Sequence, residues 1–304
     1  MPRYVITSAP MRARLPALVA LLGLSACGSP LDGTAPANPG ASEGARAPAP
    51  DAGGSAAFRF DPARVRAGRV IHYVKSNLDG SKPSLVSLYL ASPERIEVYK
   101  SEEGLSDSAE VSAEMDWAKA SPKLLSAGVL RDDGTREERA LLRLESDQRL
   151  FVKVGTMEER IDVPRLPFHV FNFDLMSLNI ALPHLVAPEA PFVVTFVEPT
   201  FGERPGLLEN RGPATVTFST METVHGAPCR KYIVSGPGMR DKGGSLWVST
   251  RDGLLELVEI PLTNNPGWNS FKLERRSEET MTPEAWETYR KTHVGTGVPA
   301  APGK

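Results

Sequence analysis

Between residues 58 and 293 the chain is a succession of short runs in which apolar and polar side chains alternate, and most runs are closed by Gly, Pro, Asn or Asp. Successive side chains of a strand point to opposite faces of a sheet, so a period of two marks a strand with one buried face. In residues 85–90, Val86, Leu88 and Leu90 share a face, and in 95–99 Ile96 and Val98 do the same. Comparable runs lie at 70–74, 124–130, 139–144, 150–154, 192–197, 214–219, 230–235, 245–249, 254–260 and 269–274. Pieces such as Asp132-Asp133-Gly134, Lys242-Gly243-Gly244 and Arg251-Asp252-Gly253 separate them, and these residue types reach positive φ at low cost.

Short strands joined by tight turns pair antiparallel with their neighbours. About a dozen of them do not make a flat sheet. The expected fold is mainly β: a curved antiparallel sheet that forms a half-open barrel, or a sandwich, covered by one to three short helices. One helix is expected over 173–185, where Asp174 can cap the start and Leu175, Leu178, Leu182 and Leu185 recur on one face. Pro183 disturbs its last turn. A second is expected over 282–293, with Thr282 as cap and Pro283 at the first helical position. Residues 110–119 are a third candidate.

The start of the chain has a different character. Arg3, Arg12 and Arg14 precede an apolar run at 15–24, and no acidic residue occurs before Cys27. About ten apolar residues are too few to cross a ~30 Å hydrocarbon layer as a helix. They have the proportions of a signal-peptide core. The run closes on Leu24-Ser25-Ala26-Cys27. This tetrapeptide resembles the lipobox of bacterial lipoproteins. The resemblance implies a signal peptide at 1–26, cleavage before Cys27, and lipid on the Cys27 sulfur, so that the chain is held to a membrane and faces the periplasm. Two or three acyl chains hold a protein stably at a bilayer, where one is marginal. Gly28 stands where an Asp would favour retention at the inner membrane in enteric bacteria, which tilts the expectation toward the outer membrane. Residues 28–57 then contain 23 Gly, Pro, Ala and Ser among 30. Such a segment buries too little apolar surface to order itself. The expected plan is therefore a signal peptide at 1–26, a lipidated cysteine and tether at 27–57, a folded body at 58–293 and a loose tail at 294–304.

Without its first 26 residues the chain holds 32 Lys and Arg against 37 Asp and Glu. That balance lacks the basic excess a nucleic-acid partner calls for. With Cys27 lipidated, Cys229 has no partner within the chain, so no disulfide framework is expected. The five histidines, His72, His169, His184, His225 and His293, form no metal-ligand spacing, and neither Ser-x-x-Lys, a Walker loop nor GxGxxG occurs. The adjacent acid pairs, such as Glu102-Glu103 and Glu158-Glu159, would point to opposite faces of a strand. No catalytic residue, metal or cofactor is expected.

The second half carries a further resemblance. Residues 171–179 (FNFDLMSLN), 225–232 (HGAPCRKY) and Leu246-Trp247-Val248 with 254–260 follow the order of an uncharacterised family of bacterial envelope proteins. It resembles, at the level of fold, the half-barrel of lipoprotein carriers: a curved antiparallel sheet whose concave side is covered by helices. The resemblance implies no catalytic residues. A sheet half closed by a helix suits an apolar ligand or lipid, and Met176, Leu178, Leu182 and Trp247 are the candidate cavity-lining residues. The leading expectation is a non-enzymatic, lipid-anchored binding protein. A scaffold docking onto another envelope protein, and a hydrolase whose nucleophile, histidine and carboxylate meet only in the fold, are the alternatives.

Overall fold

A computed structural model describes residues 54–200, 206–263 and 267–298. Cys27, the lipobox and all of the tether before Gly54 lie outside the described residues. The body is one mixed but largely antiparallel sheet of 15 strands. They are β1 (Arg69–Ser76), β2 (Ser84–Leu90), β3 (Arg95–Ser101), β4 (Asp107–Asp116), β5 (Ser121–Arg131), β6 (Arg136–Ser146), β7 (Arg149–Val154), β8 (Met157–Asp162), β9 (Phe168–Val170), β10 (Phe192–Pro199), β11 (Leu208–Val224), β12 (Ala227–Ser235), β13 (Gly244–Ser249), β14 (Leu255–Ile260) and β15 (Phe271–Thr280). Two helices, α1 (Met176–Ala181) and α2 (Pro283–Thr292), complete the framework.

The strand order is two meanders joined back to back. β1 through β8 run outward on one side, β15 through β10 on the other, and β1 pairs with β15 at the centre. The two edges, β8 and β9, are consecutive in the chain, and β9 pairs parallel with β10. One hydrophobic cluster gathers the same face of both meanders around α1, from Ile71 and Tyr73 through Val152 to Phe196, Leu246 and Leu273. A sheet of this width can present so many strands to one six-residue helix only by curling around it. The expected open, curved sheet is what forms, rather than a sandwich of two sheets.

Every residue of α1 is buried. The helix is pinned by a closed polar circuit: Asn179 donates to Tyr73 Oη at 3.0 Å, Tyr73 donates to the Leu255 carbonyl at 3.2 Å, and Leu255 N–H donates to Asn179 Oδ1 at 2.8 Å. Buried polar groups must be satisfied, so this circuit fixes where α1 sits on the sheet. Helix α2 lies on the opposite face. There Trp286 joins Val70, Tyr89, Tyr99 and Leu130 in a separate cluster, and Thr282 caps the helix by accepting from Ala285 N at 3.2 Å.

Four expectations need correction. The helix over 173–185 breaks into a six-residue α1 followed by a 3-10 turn at Leu182–His184, because Pro183 has no N–H to continue the ladder. Residues 110–119 are strand β4 and the turn after it. Its good helix formers are overridden by pairing with β3 and β5 on both sides, and Ala109, Val111, Ala113 and Met115 keep a strict period of two. The last tether residues are ordered: Ser55–Ala57 form a 3-10 turn, and Val186 N–H donates to the Ala57 carbonyl at 2.9 Å. The first residues of the tail also dock, with Gly104 N–H on the Gly295 carbonyl at 3.1 Å and Gly297 N–H on Ser101 Oγ at 3.3 Å.

Candidate functional site

Strands β3 to β7 carry a row of small side chains on the inner face: Val98, Val111, Ala127, Ala140 and Val154 are successive cross-strand partners. One row nearer the sheet's end, Lys100 faces Ala109, which faces Val129. Elsewhere the inner face carries mostly larger side chains, Leu, Ile, Val, Phe and Tyr. Where alanines replace them, a cavity of about 120 Å³ remains, closed on the other side by Val170, Asn172 and Phe173. Interiors normally pack without voids larger than a water molecule. An engineered apolar cavity of about 150 Å³ stays dry and accepts benzene, so this hollow is of a size to hold an apolar fragment.

One end of the cavity is polar. Asp174, fully buried, lies between Lys75 Nζ at 2.8 Å and Lys100 Nζ at 2.6 Å. Both Asp174 and Leu175 take left-handed backbone angles, φ 52° and 60°. Asp tolerates this region better than most residues, and the turn aims its carboxylate at the two lysines instead of capping α1. Burial alone would raise the Asp174 pKa, but the charges of Lys100 and Lys75 outweigh it and bring it down to about 2. Burial pushes the Lys75 ammonium below its ordinary value, partly offset by Asp174. Lys75 also sits over the Trp268 ring at 4.8 Å. At the far wall, the register shift between Ala127 and Gly128 leaves Arg139 as the extra residue of a β-bulge, and its side chain lines the cavity.

Met176 and Leu178 on α1, and Leu182 in the turn after it, are packed into the core. Trp247 does not join them. Its strand neighbours Leu246 and Val248 face the core, so Trp247 faces the other way, where it packs with Ala227 and Cys229 and donates to Glu222 at 2.6 Å. The expected shared lining therefore does not form. The residues that do line the hollow had a readable signal: Ile71-x-Tyr73-x-Lys75 and Ile96-x-Val98-x-Lys100 are two strand faces whose apolar alternation ends in a lysine.

Cys229 is a buried free thiol, pushed up in pKa by burial. A serine, a histidine and a carboxylate do meet: His72 Nδ1 lies 2.8 Å from Ser87 Oγ, and His72 Nε2 lies 2.9 Å from Glu279. Ser87 is fully buried, however, and the Tyr289 hydroxyl of α2 sits 3.1 Å from its oxygen. The set clamps α2 to the sheet and leaves no approach for a substrate to the hydroxyl. Among the described residues no group of three or more His, Cys, Asp and Glu is placed to hold a metal ion.

No protein-family model matches the chain, and no curated protein matches it. Among solved structures, it is similar to the crystal structure of a DUF1329 family protein from Desulfovibrio piger ATCC 29098, at 12% identity and a TM-score of 0.25, over 73% of this chain and 89% of that one. A likeness this slight transfers neither fold nor role.

Proposed function

We propose that the chain is a membrane-anchored binding protein of the bacterial envelope, held by lipid on Cys27 and facing the periplasm, whose folded body takes an apolar ligand or acyl chain into the hollow between β4–β6 and the Asn172–Phe173 turn. The observation that carries the binding reading is the hollow left where Ala127 faces Ala140, with Ala109 beside them, while larger side chains fill most of the inner face. Filling it with larger side chains would raise packing; leaving it open costs stability unless something occupies it. Lys100 at its polar end suits the polar head of an otherwise apolar molecule, with Arg139 on the far wall. The anchoring reading is carried by Leu24-Ser25-Ala26-Cys27. The presence of a hollow favours ligand binding over the scaffold alternative, and the sealed serine gives the hydrolase alternative no support.

The test uses the full-length chain and benzene, a probe on the scale of the hollow of about 120 Å³, titrated by calorimetry. The native sequence is expected to bind it saturably, and Ala109→Leu with Ala127→Leu to weaken binding by about tenfold or more while the melting temperature holds or rises. Undiminished binding by the filled variant sinks the proposal. The anchor is tested separately: in its native cells, Cys27→Ser should no longer incorporate labelled palmitate or fractionate with membranes.

A further inference from the structure

On three strands the inner face does not stay apolar to its end. The alternation Tyr73, Ile71 on β1 continues to Arg69, Phe271 and Leu273 on β15 continue to Arg275, and Val234 and Tyr232 on β12 continue to Arg230. Arg64 and Arg66 arrive from the segment before β1, Arg251 from the turn between β13 and β14, and Arg276 from a register shift in β15. All seven arginines border one cleft of about 870 Å³, floored by Leu182, Leu185 and Val248. The cleft holds three carboxylates, Asp252, Glu256 and Glu278, so its cationic character is local; the chain as a whole carries a net charge of -2.

The arginines divide into two sets. Arg69 and Arg275 take up the carboxylates: both reach Asp252, at 2.5 and 3.0 Å, both bond Glu278, and Arg275 lies 3.5 Å from Glu256. Arg64 is tied to the Pro183 carbonyl at 2.5 Å, and Arg276 to Glu274 at 3.0 Å. Arg66, Arg230 and Arg251 form no ion pair among the described residues, and the buried Nε of Arg230 has no hydrogen-bond partner. Three guanidinium groups left unpaired around one concave space form a receptor for an anion. Their planar, forked donors match phosphate and carboxylate oxygens two at a time. The volume exceeds one inorganic ion and falls within the ~300–1,000 Å³ of small-molecule sites.

We infer that this cleft binds a phosphate-bearing anion, with Arg66, Arg230 and Arg251 supplying the contacts and the Arg69–Asp252–Arg275 network holding the wall behind them. It is separate from the alanine-lined hollow and stands or falls independently of it. Phosphate could come from a lipid headgroup or from a soluble organic phosphate.

Titration calorimetry on the full-length chain at low salt, with inorganic pyrophosphate and with dihexanoyl phosphatidic acid below its micellar range, tests the site. The native chain is expected to bind both saturably, with affinity falling as salt rises. The combined R66Q, R230Q and R251Q variant should bind at least about tenfold more weakly, with the melting temperature unchanged. Tighter binding of phosphatidic acid through the same arginines identifies a lipid headgroup as the source; equal binding identifies a soluble phosphate. Should the triple variant fail to fold, Arg251→Gln alone, on an exposed turn, should still lose affinity several-fold. The inference is overturned if the native chain binds neither probe, or if the arginine variants bind both as the native chain does. The variant with Leu at 109 and 127 should bind pyrophosphate normally.

Discussion

Two aspartates in this protein are each held between two cations on the inner face of the sheet, one at either polar end of the core. Asp174 lies between Lys75 and Lys100, and Asp252 between Arg69 and Arg275. The chemistry is the same, but the surroundings are not. Asp174 has no exposed surface and Lys75 only 2%, whereas the Asp252 side chain is 18% exposed and its companion Glu278 is 50% exposed. Removing charges from water costs several kcal/mol per ion, and the attraction must repay that before it adds any stability. At the Asp174 end each ion therefore depends on the others. At the Asp252 end water and further carboxylates share the load, and cations can be spared for a ligand.

The largest expected effect comes from Asp174→Asn. Asn is nearly the same shape and also tolerates the left-handed backbone at this position, so the change keeps the backbone while it removes the charge and turns an NH2 donor toward one of the two lysines. The negative charge lost lies between a buried Lys75 and a Lys100 that is 16% exposed, and breaking such a largely buried set costs about 3–5 kcal/mol. Urea unfolding of the full-length chain measures it. A loss below about 1 kcal/mol would show that the trio is no more dependent than a surface pair, and the contrast with Asp252 would disappear.

Acid should reveal the same asymmetry. Asp174 has its pKa lowered from 3.8 to about 2 in the fold. Its contribution is thus complete above the unfolded value near 4 and is lost as pH falls through 4 toward 2; the difference amounts to about 2 kcal/mol. Two buried histidines act earlier. Burial lowers His169 to about 3 and His184, with help from Arg64, to about 4, from an ordinary 6.5. The unfolded chain takes up their protons below pH 6.5 while the fold resists, so stability declines from 6.5 downward. His184 Nδ1 accepts from Asp61 N–H at 3.2 Å, which requires the neutral ring. The melting temperature should fall in two stages, from 6.5 to 4 and again below 4. His184→Gln should lessen the first stage, leaving the share of His169, and Asp174→Asn should lessen the second. A melting temperature constant from pH 7 to 5 contradicts the burial of both rings.

How much of this was legible in the sequence follows from the same physics. Strands with one apolar face announced themselves: residues 85–90 and 95–99 became β2 and β3 with Val86, Leu88, Ile96 and Val98 inside. β4 was misread because Glu110 and Glu114, good helix formers, stand on its outer face; there Glu110 meets Arg290 of α2 at 2.5 Å, a partner 180 residues away. β8 gives a weak alternation because it is an edge strand, with Glu158, Arg160 and Asp162 on one face and Met157, Glu159 and Ile161 on the other. Trp247 stands between Leu246 and Val248, and the period of two that puts those in the core puts it on the other face. The two end clusters were half visible. A lysine or arginine closing an apolar alternation marks the end of a buried face, but which aspartate it meets depends on how the meanders curl, which no local pattern encodes.

A smaller effect is expected at the solvated end. Asp252→Asn keeps the side-chain acceptor that Leu254 N–H uses at 3.1 Å, removes the charge and turns an NH2 toward Arg69 and Arg275 where Oδ2 accepted from both. Arg69 and Arg275 retain Glu278, and Arg275 retains Glu256. The cost should be about 1 kcal/mol, as for a partly exposed pair within a network. Salt sharpens the distinction further. The Debye length shrinks from ~10 Å at 0.1 M to ~3 Å at 1 M, which screens charges that water can reach far more than charges it cannot. The penalty for Asp252→Asn should therefore shrink by a few tenths of a kcal/mol between these salt concentrations, while that for Asp174→Asn stays constant. If both penalties shrink together, ions reach both ends of the core, and burial is not what distinguishes the two aspartates.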